Sequence, residues 1–268
     1  MSDAPAERRQ RLYRTEAIVL KRRDYGEADR LLTVFTPNYG KLVLLGKGVR
    51  KTQSRKAGHV ELFTHSTLLV AKGRTWDLVT QAETVESYLP LRESLLRTSY
   101  AYYVAELLDG FTQEQDTHPA MWRLLRETLA RLAASREETL ALAARFYDLH
   151  LLALAGYQPQ LFTCVACQAA LEPVTNYFSI VEGGVLCPTH GEGRIGAEPL
   201  PLPLFKALRF VQTRDWEQVA QLNLSPGLQA ELERLLHGYM VYQLERNVRS
   251  AAFLRTIREQ MQNVTRDP

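Results

Sequence analysis

All three cysteines of the chain lie in one short stretch, and their spacing is that of a metal site. Two residues separate Cys164 from Cys167, two more separate Cys187 from His190, and nineteen lie between the pairs. Each two-residue spacer lets the backbone wrap one tetrahedral ion, so thiolates from Cys164, Cys167 and Cys187 with the His190 imidazole make a complete Zn2+ set. Four protein ligands leave no open position for water, and the expected role is structural, not catalytic. A disulfide would leave one of the three cysteines over. Between the pairs, residues 177–181, Gly183-Gly184 and Val185-Leu186 read as a hairpin, as in zinc ribbons. So short a piece has too little core to be stable alone, and the metal is expected to supply much of its folding energy.

The second feature is charge. The chain as a whole is +3 with His neutral, yet fourteen cations face only four anions between Arg8 and Lys56, which makes that segment +10 and the remainder −7. A basic N-terminal module on a mildly acidic body points to a polyanion partner. Asp24, Glu27 and Asp29 cluster there beside Arg22, Arg23 and Arg30, an arrangement that predicts local ion pairs on a turn.

Short apolar runs carry these charges. AIVL (17–20), RLLTVF (30–35) and KLVLL (41–45) are bounded by Tyr25-Gly26, by Pro37-Asn38 with Gly40, and by Gly46 and Gly48; two more runs, 62–70 and 76–85, flank Lys72-Gly73-Arg74. Five such strands predict a small closed barrel of the oligonucleotide-binding (OB) type. The loop GKGVRKTQSRKAG (46–58) holds five cations; it cannot bury itself but can track phosphates. The DNA-binding candidates are Lys21, Arg22, Arg23, Arg30, Lys47, Arg50, Lys51, Arg55, Lys56 and Arg74. Lys21-Arg22-Arg23 follow a strand, so alternation brings only two of the three to one ligand. Among Tyr13, Tyr25, Phe35, Tyr39, Phe63 and Trp76, the turn-proximal Tyr25 and Tyr39 are the candidates for stacking on bases.

Beyond the barrel the apolar period changes. Leu96, Tyr100, Tyr103, Leu107 and Phe111, then Trp122, Leu125, Leu129 and Leu132, then Leu140, Ala144, Tyr147, Leu151 and Leu154 recur at helical spacing. Thr117 and Pro119 open the second helix, Gly156 caps the third, Ser225-Pro226 open a long one and Ser250 a last one. Tyr100, Tyr102, Tyr103, Tyr147, Tyr239 and Tyr242 are assigned to the bundle core. His59, His65, His118, His150 and His237 have no spacing that suggests a role. The expected fold class is multi-domain α+β: an N-terminal OB-fold β-barrel (1–86), then an all-α bundle (87–156 and 202–262) interrupted by a zinc-ribbon-like segment (157–201), with a tail at 263–268.

Enzyme signatures are missing. GKLVLLGKG fails as a phosphate loop, because five residues separate Gly40 from Gly46 and Gly48 stands where Ser or Thr would bind magnesium. There is no HExxH, no GxSxG, and no GxGxxG after a strand. Residues 1–12 lack the apolar core of a signal peptide, and no run approaches a membrane span, so a soluble cytoplasmic location is expected.

The run EAIVLKRRDYGEADRLLTVFTPNYGKLVLLGKGVRK (16–51) resembles the N-terminal domain of the RecO family of bacterial recombination mediators. YGEADRL, FTP followed by GK, and KG with a basic pair behind it carry the likeness, which runs from about Tyr13 to about Ile257. It implies a non-enzymatic, nucleoid-associated protein of DNA repair and recombination that binds single- and double-stranded DNA and anneals complementary strands. It further implies contact with the acidic tail of single-stranded DNA-binding protein, partnership with RecR, and help in loading RecA. Arg123, Arg126 and Arg131 are candidates for holding that tail. Many family members carry a four-cysteine or related zinc motif, and here His190 stands in place of the fourth cysteine. Two other readings are a zinc-containing sequence-specific DNA-binding regulator and a metal-dependent enzyme. The first lacks a helix that is basic along its outer face, and the second lacks an open metal position.

Overall fold

The computed structural model describes residues 11–264 of the 268. Arg8, Arg9, nearly all of the 1–12 leader and the tail beyond 264 lie outside the described residues. The chain divides into two compact units, one of residues up to 89 with 112–122, the other of 90–111 with everything from 123.

In the first unit, β1 (Leu12–Tyr25), β2 (Asp29–Thr36), β3 (Gly40–Gly46), β4 (His65–Ala71) and β5 (Asp77–Glu86) close a barrel in the order β1-β2-β3-β5-β4. All neighbours are antiparallel except β3 and β5. Alternate residues point inward, and Ala17, Val19, Leu32, Val34, Leu44, Leu68, Val70 and Val79 form the core. The expected barrel is thus present, with one extension: β1 runs on through Lys21-Arg22-Arg23, paired with β2 as Arg22↔Leu32 and Arg23↔Leu31 after a register shift between Val19 and Lys21. Ladder hydrogen bonds, not apolar content, keep this charged stretch extended.

The basic loop departs from expectation, because it does bury part of itself. Val49 and Val60 enter the barrel core, the latter from a single 3-10 turn at Ala57–Val60. Gly48 N–H donates to Asp29 Oδ1 at 2.7 Å and Arg50 N–H to the Ala28 carbonyl at 2.9 Å. Gly40, at φ +63°, could not be another residue: a Cβ there would lie 1.9 Å from the Asp116 carbonyl oxygen.

The second unit contains α1 (Pro90–Glu93), α2 (Leu95–Phe111), most of α3 (Pro119–Ala134), α4 (Glu137–Leu154), a small sheet of β6 (Asn176–Ser179), β7 (Gly184–Leu186) and β8 (Ala197–Leu200) with α5 (Pro188–Gly191), then α6 (Leu202–Thr213), α7 (Trp216–Val219), α8 (Pro226–Leu244) and α9 (Arg249–Val264). Helix α4 is central, packing on α2, α6, α7 and α8, while α9 packs on α2. The three expected helical stripes bury Leu96, Tyr100, Tyr103 and Leu107, then Trp122, Leu125, Leu129 and Leu132, then Leu140, Ala144, Tyr147 and Leu151, whereas Phe111 and Leu154, the last residues of their helices, are not buried. Two core assignments fail: Tyr102 and Tyr242 are 39% and 47% exposed, since each sits off the buried stripe of its helix. Helices α6 and α7 add to the expected set: α6 buries Leu204, Phe205, Leu208 and Val211 at helical spacing, and α7 is a single turn.

Ser225 caps α8 by accepting from the Leu228 N–H at 3.3 Å. Ser225→Ala is expected to lower stability by about 1 kcal/mol in urea unfolding, with Ser225→Asp restoring it. Among the described residues no helix is long and apolar enough to cross a membrane.

Candidate nucleic-acid interface and metal cluster

The metal-type residues converge. One ligand atom from each of Cys164, Cys167, Cys187 and His190 lies within 4.8 Å of the others. Two chain reversals bring them there. At the first, Gln168 takes a left-handed φ of 61° and the Cys164 N–H donates to Ala169 O; at the second, Cys187 caps α5 and its carbonyl accepts from His190 N–H. The sheet order β7-β6-β8 sets the second reversal beside the first, joined through Val165 N–H to Val185 O. The hairpin read from the sequence is β6-β7, and β8 is a third strand that AEPL, with no apolar run, did not announce.

The donor set fits a thiophilic tetrahedral ion. His190 Nδ1 is 3.1 Å from Cys187 Sγ, and the Cys187 N–H donates to Cys164 Sγ at 3.4 Å. Burial raises the Cys164 thiol, yet backbone N–H groups of Cys187, Cys167 and Ala166 outweigh it and bring the thiol down to about 6. The site therefore favours a thiolate, the ligand form of cysteine. Space is short around it: a Cβ on Gly191 would lie 2.4 Å from Tyr177 Cβ.

On the barrel the ten basic candidates fall into two groups. Arg22 pairs with Glu61, Arg30 with Asp24 at 3.1 Å and Glu61 at 3.6 Å, and Arg50 with Asp24 at 3.4 Å. Lys56 Nζ donates to Val79 O at 2.7 Å, and burial lowers its affinity for a proton. Arg23, Lys47, Lys51, Arg55 and Arg74 are exposed and have no ion-pair partner among the described residues. Lys21 is exposed too and points with Arg23, whereas Arg22 turns the other way toward Glu61, as strand alternation requires. The ion pairs expected of Asp24 form; Asp29 instead holds the Gly48 N–H, and Glu61 is an anchor that sequence reading missed, since it lies thirty-one residues from Arg30.

Two aromatic pairs lie on the same barrel. Tyr25, at the β1–β2 turn, meets Trp76, at the β4–β5 turn, edge-on with centroids 5.1 Å apart, so the two turns stand side by side. Tyr39 lies 4.7 Å from Tyr13, whose hydroxyl donates to Asp77 Oδ2 at 2.8 Å. Burial and that bond hold the Tyr13 hydroxyl protonated. Tyr25 and Tyr39 are exposed, whereas Phe35 and Phe63 are in the core. In an OB barrel, oligonucleotides bind across strands 2 and 3 between these two turns. Exposed guanidinium and ammonium groups together with aromatic rings on one barrel are the makeup of a single-strand site.

Of the other candidates, Arg123 and Arg126 are exposed on α3, while Arg131 lies over the rings of Phe146 and Trp216 and pairs with Glu127 at 3.0 Å. His65, buried, bonds to Glu16 at 2.7 Å, and His59 Nδ1 lies 2.8 Å from the Thr84 hydroxyl.

Comparison with known proteins agrees with this architecture. A family model described as recombination protein O N terminal matches residues 10–88, and one described as recombination protein O C terminal matches 92–252. The DNA repair protein RecO of Roseiflexus sp. (strain RS-1) is 45% identical over 254 residues, covering 94% of this chain and 88% of that protein. The DNA repair protein RecO of Pelotomaculum thermopropionicum is 37% identical over 248 residues (91% and 94%), and that of Dehalococcoides mccartyi (strain ATCC BAA-2266 / KCTC 15142 / 195) is 34% identical over 242 (90% and 94%). With both halves matched in order and relatives similar over nearly their whole lengths, the chain belongs to the RecO family of DNA repair proteins.

Proposed function

We propose that this protein is a non-enzymatic recombination mediator that binds single- and double-stranded DNA on its barrel and anneals complementary strands without ATP. The single observation that carries the reading is the set of five exposed, unpaired cations, Arg23, Lys47, Lys51, Arg55 and Arg74, on a barrel whose two neighbouring turns meet through Tyr25 and Trp76. Phosphates would be neutralised by these groups while bases rest on the exposed ring faces. Two strands held so lose much of their mutual repulsion, and pairing follows from their own complementarity.

Arg22, Arg30 and Arg50, clamped by Asp24 and Glu61, would shape the groove more than they contact it. The Cys3His cluster would take a structural Zn2+ that holds residues 157–201 folded. The helical unit would offer docking surfaces for RecR and for the acidic tail of single-stranded DNA-binding protein, Arg123 and Arg126 being the exposed candidates on α3, so that RecA can load on DNA the coat protein had covered.

Salt titration of single-stranded DNA binding tests the interface. If five phosphates are neutralised, log K should fall against log salt with a slope of about −3.5. A slope shallower than about −1 would mean that the cations are merely solvated and that DNA binds elsewhere.

A further inference from the structure

A cavity of about 520 Å3 lies between α8 and α9 in the helical unit, with Tyr103 and Arg145 also in its lining. Its chemistry is uneven. Pro226, Ala230, Ala251 and Leu254 line it with apolar atoms, and Arg145, His237, Arg255 and Arg258 line it with nitrogen groups.

Arg145 is the unusual member. It is 4% exposed, stands over the Tyr103 ring, and has its Nε 3.0 Å from Asp148 Oδ2. Asp148 is itself fully buried and accepts from the Tyr103 hydroxyl at 3.0 Å. Arg145 Nη1 comes only to 4.0 Å from Glu233 Oε2, because that oxygen is taken by Arg258; among the described residues Nη1 has no hydrogen-bond partner. His237 Nε2 is likewise buried without one. Burial, then the charges of Arg255 and Arg145, depress the proton affinity of His237, so these three side chains act on one another across the recess. Arg255 is exposed and carries no ion pair among the described residues. Leaving a guanidinium nitrogen unbonded in a buried site costs more than an ordinary lost hydrogen bond. An acceptor entering the cavity would relieve it.

We propose that this cavity is a binding site for the phosphate group of a small molecule of about mononucleotide size. Arg145, His237 and Arg255 are three different side chains on α4, α8 and α9, and the neutral His237 donates in the tautomer that carries its proton on Nε2. A phosphate monoester presents three terminal oxygens in a tetrahedral array and can accept from all three, whereas the two oxygens of a carboxylate lie in one plane. The apolar lining then takes the uncharged part of the ligand, and the volume lies in the usual range for small-molecule sites. Glu233, paired with Arg258, and Glu259 also line the cavity.

Isothermal titration of the full chain at constant ionic strength, with inorganic phosphate, adenosine 5′-monophosphate, adenosine and acetate as probes, tests this. The two phosphate probes are expected to bind saturably at one site per chain, adenosine and acetate much more weakly. Arg255→Ala and His237→Ala should each weaken phosphate binding by about tenfold or more, the loss typical of one charged hydrogen bond. The barrel variant Lys47→Ala/Lys51→Ala/Arg55→Ala/Arg74→Ala should bind the phosphate probes as wild type does, and the two cavity variants should keep wild-type DNA affinity, which separates this site from the DNA surface. Melting temperatures of the cavity variants establish that they are folded. The proposal is overturned if phosphate shows no saturation, if acetate binds as tightly, or if the barrel variant loses phosphate binding while the cavity variants retain it.

Discussion

Replacing Lys47, Lys51, Arg55 and Arg74 together by alanine is expected to weaken single-stranded DNA binding by roughly several hundred-fold at about 0.1 M salt. Each cation that releases a counterion contributes about 0.7 to the salt slope, hence about 0.7 log units of affinity at that concentration, and four make nearly three. The slope itself should flatten from about −3.5 to about −0.7, leaving only Arg23. All four side chains are exposed and none has an ion-pair partner among the described residues, so folding should be unchanged. The matching control is Arg22→Ala/Arg30→Ala/Arg50→Ala. Those three arginines are paired with two carboxylates, Asp24 and Glu61, which leaves one net positive charge among them, and their loss should flatten the slope less while lowering thermal stability. Equal effects from both triple and quadruple variants would mean that net charge, not the placement of free cations, sets affinity.

The second large effect concerns the metal. Cys164→Ser should reduce bound zinc from one per chain to none and unfold the segment 157–201, whose β6-β7-β8 sheet contributes strands of only three and four residues. Structural zinc in small domains supplies about 10–16 kcal/mol at neutral pH, far more than such a sheet can supply alone. Amide exchange is the direct readout: amides of residues 176–200 should exchange fast in the variant or after chelation, while those of β1–β5 stay protected. Unchanged zinc content and unchanged protection would remove the metal from the account. Cys164 is the position to choose because it is the buried ligand and its sulfur is the one that backbone N–H groups hold ready as thiolate.

What could be read in advance follows from which forces are local. Strand runs between glycine turns, the Cys-x-x-Cys and Cys-x-x-His pairs, the stripes of α2, α3 and α4, and the Ser225 cap all depend on neighbours within a few residues, and each appears in the structure. The misses are nonlocal. Lys21-Arg22-Arg23 stay in β1 because β2 pairs with them, a contact no apolar pattern reports. Glu61 removes Arg22 and Arg30 from the free charge of the interface although it lies far away in sequence. Val49 and Val60, single apolar residues in a polar loop, anchor it in the barrel core. Tyr102 and Tyr242 read as core because tyrosine is apolar over most of its surface, but each falls outside the face its helix buries. His237 gave no signal through spacing, since its neighbours Arg145 and Arg255 come from other helices.

The measurement that bears most directly on the mediator reading is fluorescence-monitored annealing of two complementary oligonucleotides, each pre-coated with single-stranded DNA-binding protein. Wild type is expected to accelerate pairing without ATP, and the Lys47→Ala/Lys51→Ala/Arg55→Ala/Arg74→Ala variant to leave the rate near that of the coated strands alone. A wild-type protein that binds DNA with the expected salt slope but never speeds pairing would contradict the account.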